Sequence, residues 1–258
     1  MTAAVAGRIA DVTGPKVGRG PSWSLIAIPV IVVVGLGLVF GYLSTQTFDS
    51  VEQRALAPAE VLTRLGQHLY LTAVSTAVVI VLAIPLGILL SRPVLRRVQP
   101  GVLAFTGFMQ ALPPFGVIIL LAFSPFGLGS TSAIIALVVA SFLPVVTNTV
   151  VGLRQVDMAL VEAARGVGMS SQQTLWRIEL PLAVPVMLAG VRVALVLNVG
   201  TATLATFIGG GGLGNIIDGM LRLGRPNGIL LAAALVAALA LLVDWLASIA
   251  EYLVGRRS

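Results

Sequence analysis

The chain contains 258 residues, of which 57% are hydrophobic and 10% are charged, and its mean hydropathy is +1.03. Soluble domains carry about 25% charged residues, so this composition excludes a soluble globular protein and predicts an integral membrane protein. These 258 residues include no cysteine, which excludes disulfides, thiolate metal sites and cysteine nucleophiles within them.

Six apolar segments are long enough to cross a bilayer as helices, which takes about 20 residues. In chain order they are Ser24–Leu43, His68–Leu90, Val102–Phe123, Ser132–Leu153, Leu182–Ile208 and Ile229–Leu253. Their hydropathy is continuous rather than alternating, which favours helices over the strands of a β-barrel. The sequence therefore predicts an all-α, polytopic transmembrane helical bundle of about six spans. A disordered cytoplasmic tail is expected over residues 1–21, an extra first span with an outer segment over 22–58, and a short cytoplasmic tail over 254–258.

The distribution of basic residues predicts the orientation of the bundle. With the N-terminus placed in the cytoplasm, eleven Lys and Arg residues outside the spans fall on the inner side and four on the outer side. This asymmetry satisfies the positive-inside rule. Both termini are therefore expected in the cytoplasm, in a multi-pass protein of the cell inner or plasma membrane. The net charge of +6 is attributed to this topology, and no nucleic-acid partner is expected.

The third span is expected to break near its middle, because Pro113 and Pro114 remove backbone donors and clash with the preceding turn. Such breaks are tolerated where protein or a water-filled cavity satisfies the freed carbonyl groups. The break therefore indicates either a wall of a substrate pathway or a packing kink between helices. The candidate pathway or gate residues are Pro113, Pro114, Phe115, Pro144, Asn148, Arg192 and Asn198. For the two asparagines, hydrogen bonds between helices are the commoner use.

A spaced motif lies in the loop between the fourth and fifth spans, residues 154–181. It reads Glu162-Ala163-Ala164, three residues, Gly168, nine residues, Ile178, one residue, and Leu180-Pro181. Ala163 and Ala164 favour a helix and allow close approach of a partner. Gly168 permits a backbone conformation that is closed to other residues, so it is expected to separate two helices.

The second helix of this loop has its own start and stop signals. Ser170 and Gln173 match a capping box, which predicts a short helix through Arg177. Leu180-Pro181 is expected to end that helix before the fifth span begins. The loop is thus predicted to be a helix–glycine–helix hairpin.

The motif closely resembles the EAA loop of ABC-importer permeases, and all seven of its fixed positions match. The resemblance implies a type I (MetI-like) permease domain over residues 59–253, with the loop docked in a groove of a separate ATPase subunit. The residues implied in this coupling are Glu162, Ala163, Ala164, Gly168, Ile178, Leu180 and Pro181. The alternative is an interfacial loop with no partner, whose Trp176 is anchored at the lipid headgroups.

Among ABC-importer permeases the chain most resembles the osmoprotectant branch, which carries glycine betaine, choline or carnitine. The stretch Leu143–Thr149 favours this branch, whereas the loop and the glycine-rich run 209–214 also resemble methionine-importer permeases. The resemblance implies that the chain forms the translocation pathway for a small osmoprotectant. The alternatives are the same class of transporter for methionine or another small amine or amino acid, and a secondary transporter or channel with no ATPase partner.

The resemblance also implies the partners of the chain. They are ABC ATPase subunits, a second permease chain that is identical or related, an extracytoplasmic substrate-binding protein, and the lipid bilayer. ATP and Mg are expected on the ATPase, with no cofactor or metal in this chain. The sequence contains no Ser/His/Asp set, paired carboxylates or metal-ligand spacing, so the chain itself is not expected to be an enzyme.

Three other features of the sequence invite an interpretation. Gly209, Gly211 and Gly214 match a dinucleotide pattern, but no strand precedes them, so they predict close packing and a re-entrant turn at the outer mouth. Arg192 and Asp244 lie deep in predicted spans, where charges usually face protein. We hypothesise an ion pair between them; otherwise Asp244 snorkels and Arg192 contacts backbone carbonyls or the loop. His68, alone at the outer membrane boundary, is expected to be interfacial rather than catalytic.

Overall fold

A computed structural model describes residues 24–255, and all regular secondary structure in that range is helical. The helices are α1 (Ser24–Leu43), α2 (Ser50–Ala55), α3 (Pro58–Ser91), α4 (Gln99–Ala111), α5 (Pro114–Ala122), α6 (Ser130–Arg154), α7 (Met158–Gly166), α8 (Ser171–Thr174), α9 (Leu180–Ala202), α10 (Gly214–Arg222) and α11 (Pro226–Gly255). Two 3-10 turns, Pro93–Leu95 and Thr203–Ile208, and a π-helical turn, Leu175–Glu179, complete the order. The predicted tail over residues 1–21 and residues 256–258 lie outside the described residues.

The predicted spans correspond to five long apolar helices and one bent pair. Within residues 24–255, the helices long and apolar enough to cross a membrane are α1, α3, α6, the continuous helix Ser171–Ile208, and α11. α4 and α5 together pass the same test, but they are bent by 86°. The bend falls at Pro113 and Pro114, which open α5 because proline fits the first helical turn but not a helix interior. The predicted break in the third span is confirmed.

The second span begins earlier than predicted. α3 starts at Pro58, ten residues before His68, and it runs for 34 residues without interruption. Its first turns are polar, and Arg64 pairs with Glu60 one turn earlier, at 2.7 Å. The polar residues that precede the predicted span are therefore the start of the spanning helix itself, because helical propensity continues where hydropathy falls.

α6 lies between α3 and α9 and forms the centre of the bundle. Val79 and Ala83 of α3, Val145 and Val146 of α6, and Ala194 of α9 are fully buried in one cluster. Lipid tails are as apolar as these side chains, so close van der Waals packing rather than exclusion of water holds such helices together. The centre of the fold therefore depends on how closely the three helices approach.

Small residues set that approach. A Cβ atom added at Gly190 of α9 would lie 2.7 Å from the Cβ of Asn148 and 2.8 Å from the carbonyl oxygen of Pro144, both on α6. A Cβ at Gly87 of α3 would lie 2.6 Å from the Cβ of Thr149. The backbones approach so closely that neither Gly87 of α3 nor Gly190 of α9 can be replaced by a residue with a side chain without a clash with α6.

We expect the substitution Gly190→Ala to destabilise the bundle by about 1–3 kcal/mol, as overpacking of a tight core does. The matched control is Gly200→Ala in the same helix, where an added Cβ meets nothing within 4 Å. That control is expected to be neutral or to stabilise by about 0.5–1 kcal/mol, because alanine favours a helix over glycine. Thermal unfolding of the purified protein in detergent measures both. Equal midpoints for the two variants would contradict the close α6–α9 contact.

α1 packs mainly against α11 at the edge of the bundle. The indole N–H of Trp245 in α11 donates to the carbonyl oxygen of Leu25 in α1, at 2.8 Å. At the other end of the same pair of helices, the Asp49 carboxylate caps α2 and pairs with Arg225, just before α11. α1 therefore begins where α11 ends, and the two helices are antiparallel.

Two faces of the bundle can now be defined. The loop face carries the ends of α3 and α6, the helices α7 and α8, and the start of α9; the mouth face carries α2, α10 and the glycine-rich turn. Between them, large apolar side chains stay exposed, among them Val33, Leu38, Val81, Phe105, Leu120 and Leu246. A continuous apolar surface of this extent requires lipid around it.

Candidate functional site

The loop over residues 154–181 begins with α7, a short helix with one buried edge. The Asp157 carboxylate caps the helix by accepting the amide N–H of Ala159, at 2.9 Å. Val161 is buried against the bundle, whereas Glu162 and Ala163 face outward. Ala164, the third residue of the motif, is also buried. The outward edge of α7 therefore carries one carboxylate and one alanine of the motif, beside the exposed side chain of Leu160.

Gly168 ends α7 in the way the spacing predicts. Its φ angle is +88°, a conformation in which other residues are strained. The amide N–H of Met169 donates to the carbonyl oxygen of Ala164, at 3.1 Å, and satisfies the end of the helix. The predicted capping box follows: the hydroxyl of Ser170 accepts from the Gln173 amide, and the side chain of Gln173 accepts from the Ser170 amide at 2.8 Å. This part of the hairpin is confirmed.

The predicted stop at Leu180-Pro181 is wrong. The helix that starts at Ser171 runs without a break to Ile208. A π-helical turn over Leu175–Glu179 makes this possible, because the Leu180 amide donates to the Leu175 carbonyl, five residues back. The wider turn brings Pro181, which has no donor, to the start of an α-helical segment, where none is needed. Ile178 is half-buried, Leu180 is buried, and Pro181 is exposed.

Two contacts that the sequence did not reveal fasten this hairpin to the bundle. Arg92, at the end of α3, donates two hydrogen bonds to the Glu179 carboxylate, at 3.2 and 2.6 Å. Arg154, at the end of α6, donates to the side chain of Gln99 at the start of α4. Paired hydrogen bonds between a guanidinium and a carboxylate fix orientation as well as distance. The hairpin is therefore bound to α3 by the Arg92–Glu179 contact, in addition to its covalent continuity with α6 and α9.

The candidate pathway residues do not all lie together. Phe115 stands directly after the bend, and its ring meets that of Phe207 edge to face, with 5.0 Å between centroids. Pro113, Pro114 and Phe115 all lie at the bend, and both phenylalanine rings are more than 40% exposed. The bent segment therefore presents an aromatic surface that is partly exposed.

The two asparagines make different contacts. Asn148 donates from its side-chain amide to the carbonyl of Pro144, one turn earlier in its own helix, at 2.8 Å. Asn198 is fully buried and donates to the Thr76 hydroxyl of α3, at 2.9 Å. The contact of Asn198 joins α9 to α3, and hydrogen bonds between helices are the commoner role of asparagine in membrane proteins.

Arg192 and Asp244 form the hypothesised ion pair. The guanidinium of Arg192 donates to both carboxylate oxygens of Asp244, at 2.5 and 2.7 Å. It also reaches Glu251, at 3.4 Å, two turns further along α11. The sequence did not single out Glu251, although it stands seven residues after Asp244 and therefore on the same side of a helix. The cluster contains two carboxylates and one guanidinium, and it ties α9 to α11.

The glycine-rich run forms a tight turn at the mouth face. Gly209, Gly211 and Gly212 have φ angles of 72°, 85° and 96°. The side-chain oxygen of Gln67 accepts from the Gly212 amide, at 3.0 Å. A Cβ at Gly214 would lie 2.0 Å from the Thr203 carbonyl oxygen, so only glycine fits there. The run serves close packing and a turn, as predicted.

The interfacial position predicted for His68 is wrong. The side chain is fully buried, and its Nε2 atom lies 2.9 Å from the carbonyl oxygen of Val199. Its Nδ1 atom faces the backbone of Gly212. α3 begins ten residues before His68, because polar turns extend the helix beyond the predicted span. His68 therefore lies in the interior of the helix and not at its end. Among residues 24–255, His, Asp and Glu do not gather into a group of three that could hold a metal ion.

These features define a helical membrane protein with a hairpin fastened to one face. The chain belongs to the family described as binding-protein-dependent transport system inner membrane component, whose match covers residues 83–256. The match begins inside α3 and leaves α1 and α2 outside it. The protein is thus an inner-membrane component of a transport system, and the predicted family is confirmed.

Relatives of the chain include permeases of osmoprotectant systems. It is 37% identical over 193 residues to the glycine betaine/carnitine/choline transport system permease protein OpuCB of Bacillus subtilis, covering 74% of this chain and 87% of that one. It is 43% identical over 183 residues to the osmoprotectant import permease protein OsmY of Salmonella typhimurium, covering 70% and 77%.

Solved structures establish the fold. The inward-facing MetNI methionine ABC transporter matches with a TM-score of 0.68 at 21% identity, covering 75% of this chain and 95% of that one. An amino acid ABC transporter crystallised with histidines matches with a TM-score of 0.66 at 17% identity, covering 80% and 99%. The chain therefore has the MetI-like fold of ABC importer permeases, which confirms the predicted fold class.

Proposed function

We propose that the chain is the permease subunit of an ATP-driven importer for a small quaternary-ammonium osmoprotectant such as glycine betaine, choline or carnitine. The observation that carries the proposal is the hairpin on the loop face, with its outward edge of Glu162 and Ala163 and its glycine turn at Gly168. The family is one of binding-protein-dependent transport components. The osmoprotectant names of the relatives support the substrate class.

The mechanism follows from how the hairpin is fastened. α7 docks on the ATPase through Glu162 and Ala163, and the buried Val161 and Ala164 transmit its movement to the bundle. The unbroken helix Ser171–Ile208 carries that movement through the membrane to the mouth face. Arg92 and Glu179 couple the same movement to α3. The binding and hydrolysis of ATP on the partner thus change which face of the pathway is open, while this chain carries out no chemistry.

The loop face is cytoplasmic in this proposal, and so are both termini. α1 begins and α11 ends on that face, in keeping with the excess of basic residues there. The mouth face then meets an extracytoplasmic substrate-binding protein, and ATP and Mg bind to the ATPase. A second permease chain, identical or related, completes the pathway. The exposed rings of Phe115 and Phe207 at the bend are suited to line it, since aromatic faces attract quaternary ammonium groups.

The direct test is transport by the reconstituted system. The chain is placed in proteoliposomes with its partner ATPase and binding protein, and uptake of radiolabelled glycine betaine, choline, carnitine and methionine is measured. We expect uptake of at least one quaternary ammonium compound that needs both ATP and the binding protein. Uptake without ATP would instead indicate a secondary transporter or channel.

Methionine is the second candidate substrate, because the loop and the glycine-rich run 209–214 also resemble those of methionine-importer permeases. The fold likeness to a methionine transporter at 21% identity carries no substrate with it, whereas the relatives above 35% identity are named for osmoprotectants. The same assay separates the two candidates. ATP-dependent uptake of methionine alone would overturn the proposed substrate but leave the proposed transporter class intact.

A further inference from the structure

A basic pocket opens on the loop face, apart from the outward edge of α7. Its volume is about 450 Å³, and its lining comes from the ends of α3 and α6, the turn after α3, the inner side of α7 and the π-helical turn. The charged lining residues are Arg92, Arg96, Arg154, Arg165 and Glu179. Four guanidinium groups against one carboxylate leave three excess positive charges in one cavity.

Two of these arginines have no partner in the part of the chain that the structure describes. Arg92 is bound to Glu179 and Arg154 to Gln99, but Arg96 and Arg165 make no ion pair or hydrogen bond with residues 24–255. Even Arg92 keeps a buried Nε atom without an acceptor. Buried donors are normally satisfied, so the Arg92 Nε lacks an acceptor, while the exposed side chains of Arg96 and Arg165 are open to an added ligand.

The pocket lies where the apolar helices end. Ser91 closes α3 and Arg154 closes α6, and both line the cavity. Val94, in the turn beside it, is 88% exposed, and Trp176 on the π-helical turn is 69% exposed. Exposed aliphatic and tryptophan side chains next to arginine are typical of the level of the lipid headgroups.

We propose that this pocket binds the phosphate of an anionic phospholipid headgroup from the leaflet at the loop face. Guanidinium groups match phosphate oxygens in pairs, and three excess charges favour a lipid with a net negative charge over a zwitterionic one. Because α7 and Glu179 both line the cavity, the bound headgroup bridges the hairpin to the end of α3. The lipid headgroup thus contacts the side of the hairpin that faces the membrane, and the outward edge of α7 stays free to bind a protein partner.

The test uses the complex of the permease with its ATPase, purified in detergent. Native mass spectrometry measures the retention of added phosphatidylglycerol and phosphatidylcholine. We expect phosphatidylglycerol to bind at least about tenfold more tightly. The double variant Arg96→Gln/Arg165→Gln should weaken this binding about 25-fold, taking about fivefold for each lost charge. Arg96→Lys should keep most of it, because the charge remains.

The matched control is Arg97→Gln, an arginine of the same turn that is exposed like Arg96 but does not line the pocket; it should change the affinity less than twofold. Unchanged phosphatidylglycerol binding in the double variant overturns the proposal. So does displacement of the lipid by inorganic phosphate at equal concentration, which would assign the pocket to a free anion. Loss of the ATPase without loss of lipid would instead make these arginines contacts of the ATPase. None of these outcomes bears on which solute is transported.

Discussion

Replacing Gly168 by valine is expected to weaken binding of the ATPase about tenfold or more and to reduce ATP-driven uptake by at least the same factor. Gly168 holds a φ angle of +88°, and an added Cβ would meet nothing within 4 Å. The effect is therefore purely conformational: a non-glycine residue in this region is strained by about 1–2 kcal/mol, and more when it is β-branched. Each 1.4 kcal/mol corresponds to a factor of ten in affinity.

The matched control is Gly166→Val, two residues earlier, at the end of α7. There too an added Cβ meets nothing, but the glycine has no positive φ angle. We expect this variant to retain most of the bound ATPase. Co-purification of the ATPase with the tagged permease measures retention, and size-exclusion chromatography verifies that both variants fold. Equal retention by the two variants would remove the reason to regard the turn at Gly168 as essential to coupling.

The substitution Arg192→Met is expected to destabilise the bundle by about 3–5 kcal/mol, because it leaves the carboxylates of Asp244 and Glu251 facing each other without a cation. For a chain of this size the unfolding midpoint should fall by roughly 10 °C. Asp244→Asn should cost less, since the remaining Arg192 and Glu251 still balance in charge. Adding Asp244→Asn and Glu251→Gln to Arg192→Met should restore much of the loss, because no charge then remains at the site.

An exposed pair offers the control for this series. Arg222 pairs with Asp218 within α10, at 2.9 Å, and its side chain is 69% exposed. Such surface pairs contribute about 0–1 kcal/mol, so Arg222→Met should leave the unfolding midpoint nearly unchanged. A triple variant no more stable than Arg192→Met would mean that packing, and not charge, dominates at the α9–α11 contact.

Local features of the loop are readable from the sequence because their causes are local. A capping box joins residues three apart, and a positive φ angle belongs to one glycine. The sequence alone therefore predicts the roles of Ser170, Gln173 and Gly168. The stop assigned to Pro181 fails for a related reason. A π-helical turn inserts one residue into the helix, and nothing in residues 175–179 distinguishes that turn from an α-helical one.

Contacts between distant parts of the chain are another matter. Arg92 and Glu179 are 87 residues apart, and His68 lies 131 residues from the Val199 carbonyl it contacts. Hydropathy predicts which segments cross the membrane but not which faces meet. The pairing of Arg192 with Asp244 could be predicted because charged side chains inside a membrane usually pair with one another. Glu251 could have been predicted as well, because it follows Asp244 by seven residues and so lies on the same side of the helix.

The helix that runs from Ser171 to Ile208 has 38 residues, which corresponds to a rod of about 57 Å at 1.5 Å per residue. The hydrocarbon layer is about 30 Å thick, so this rod extends well beyond it. An element of that length behaves as a lever: a tilt of about 5° at one end displaces the other by about 5 Å, as the same rise per residue implies. Small rotations of a motor docked below would therefore suffice to move the glycine turn above by more than the width of a water molecule.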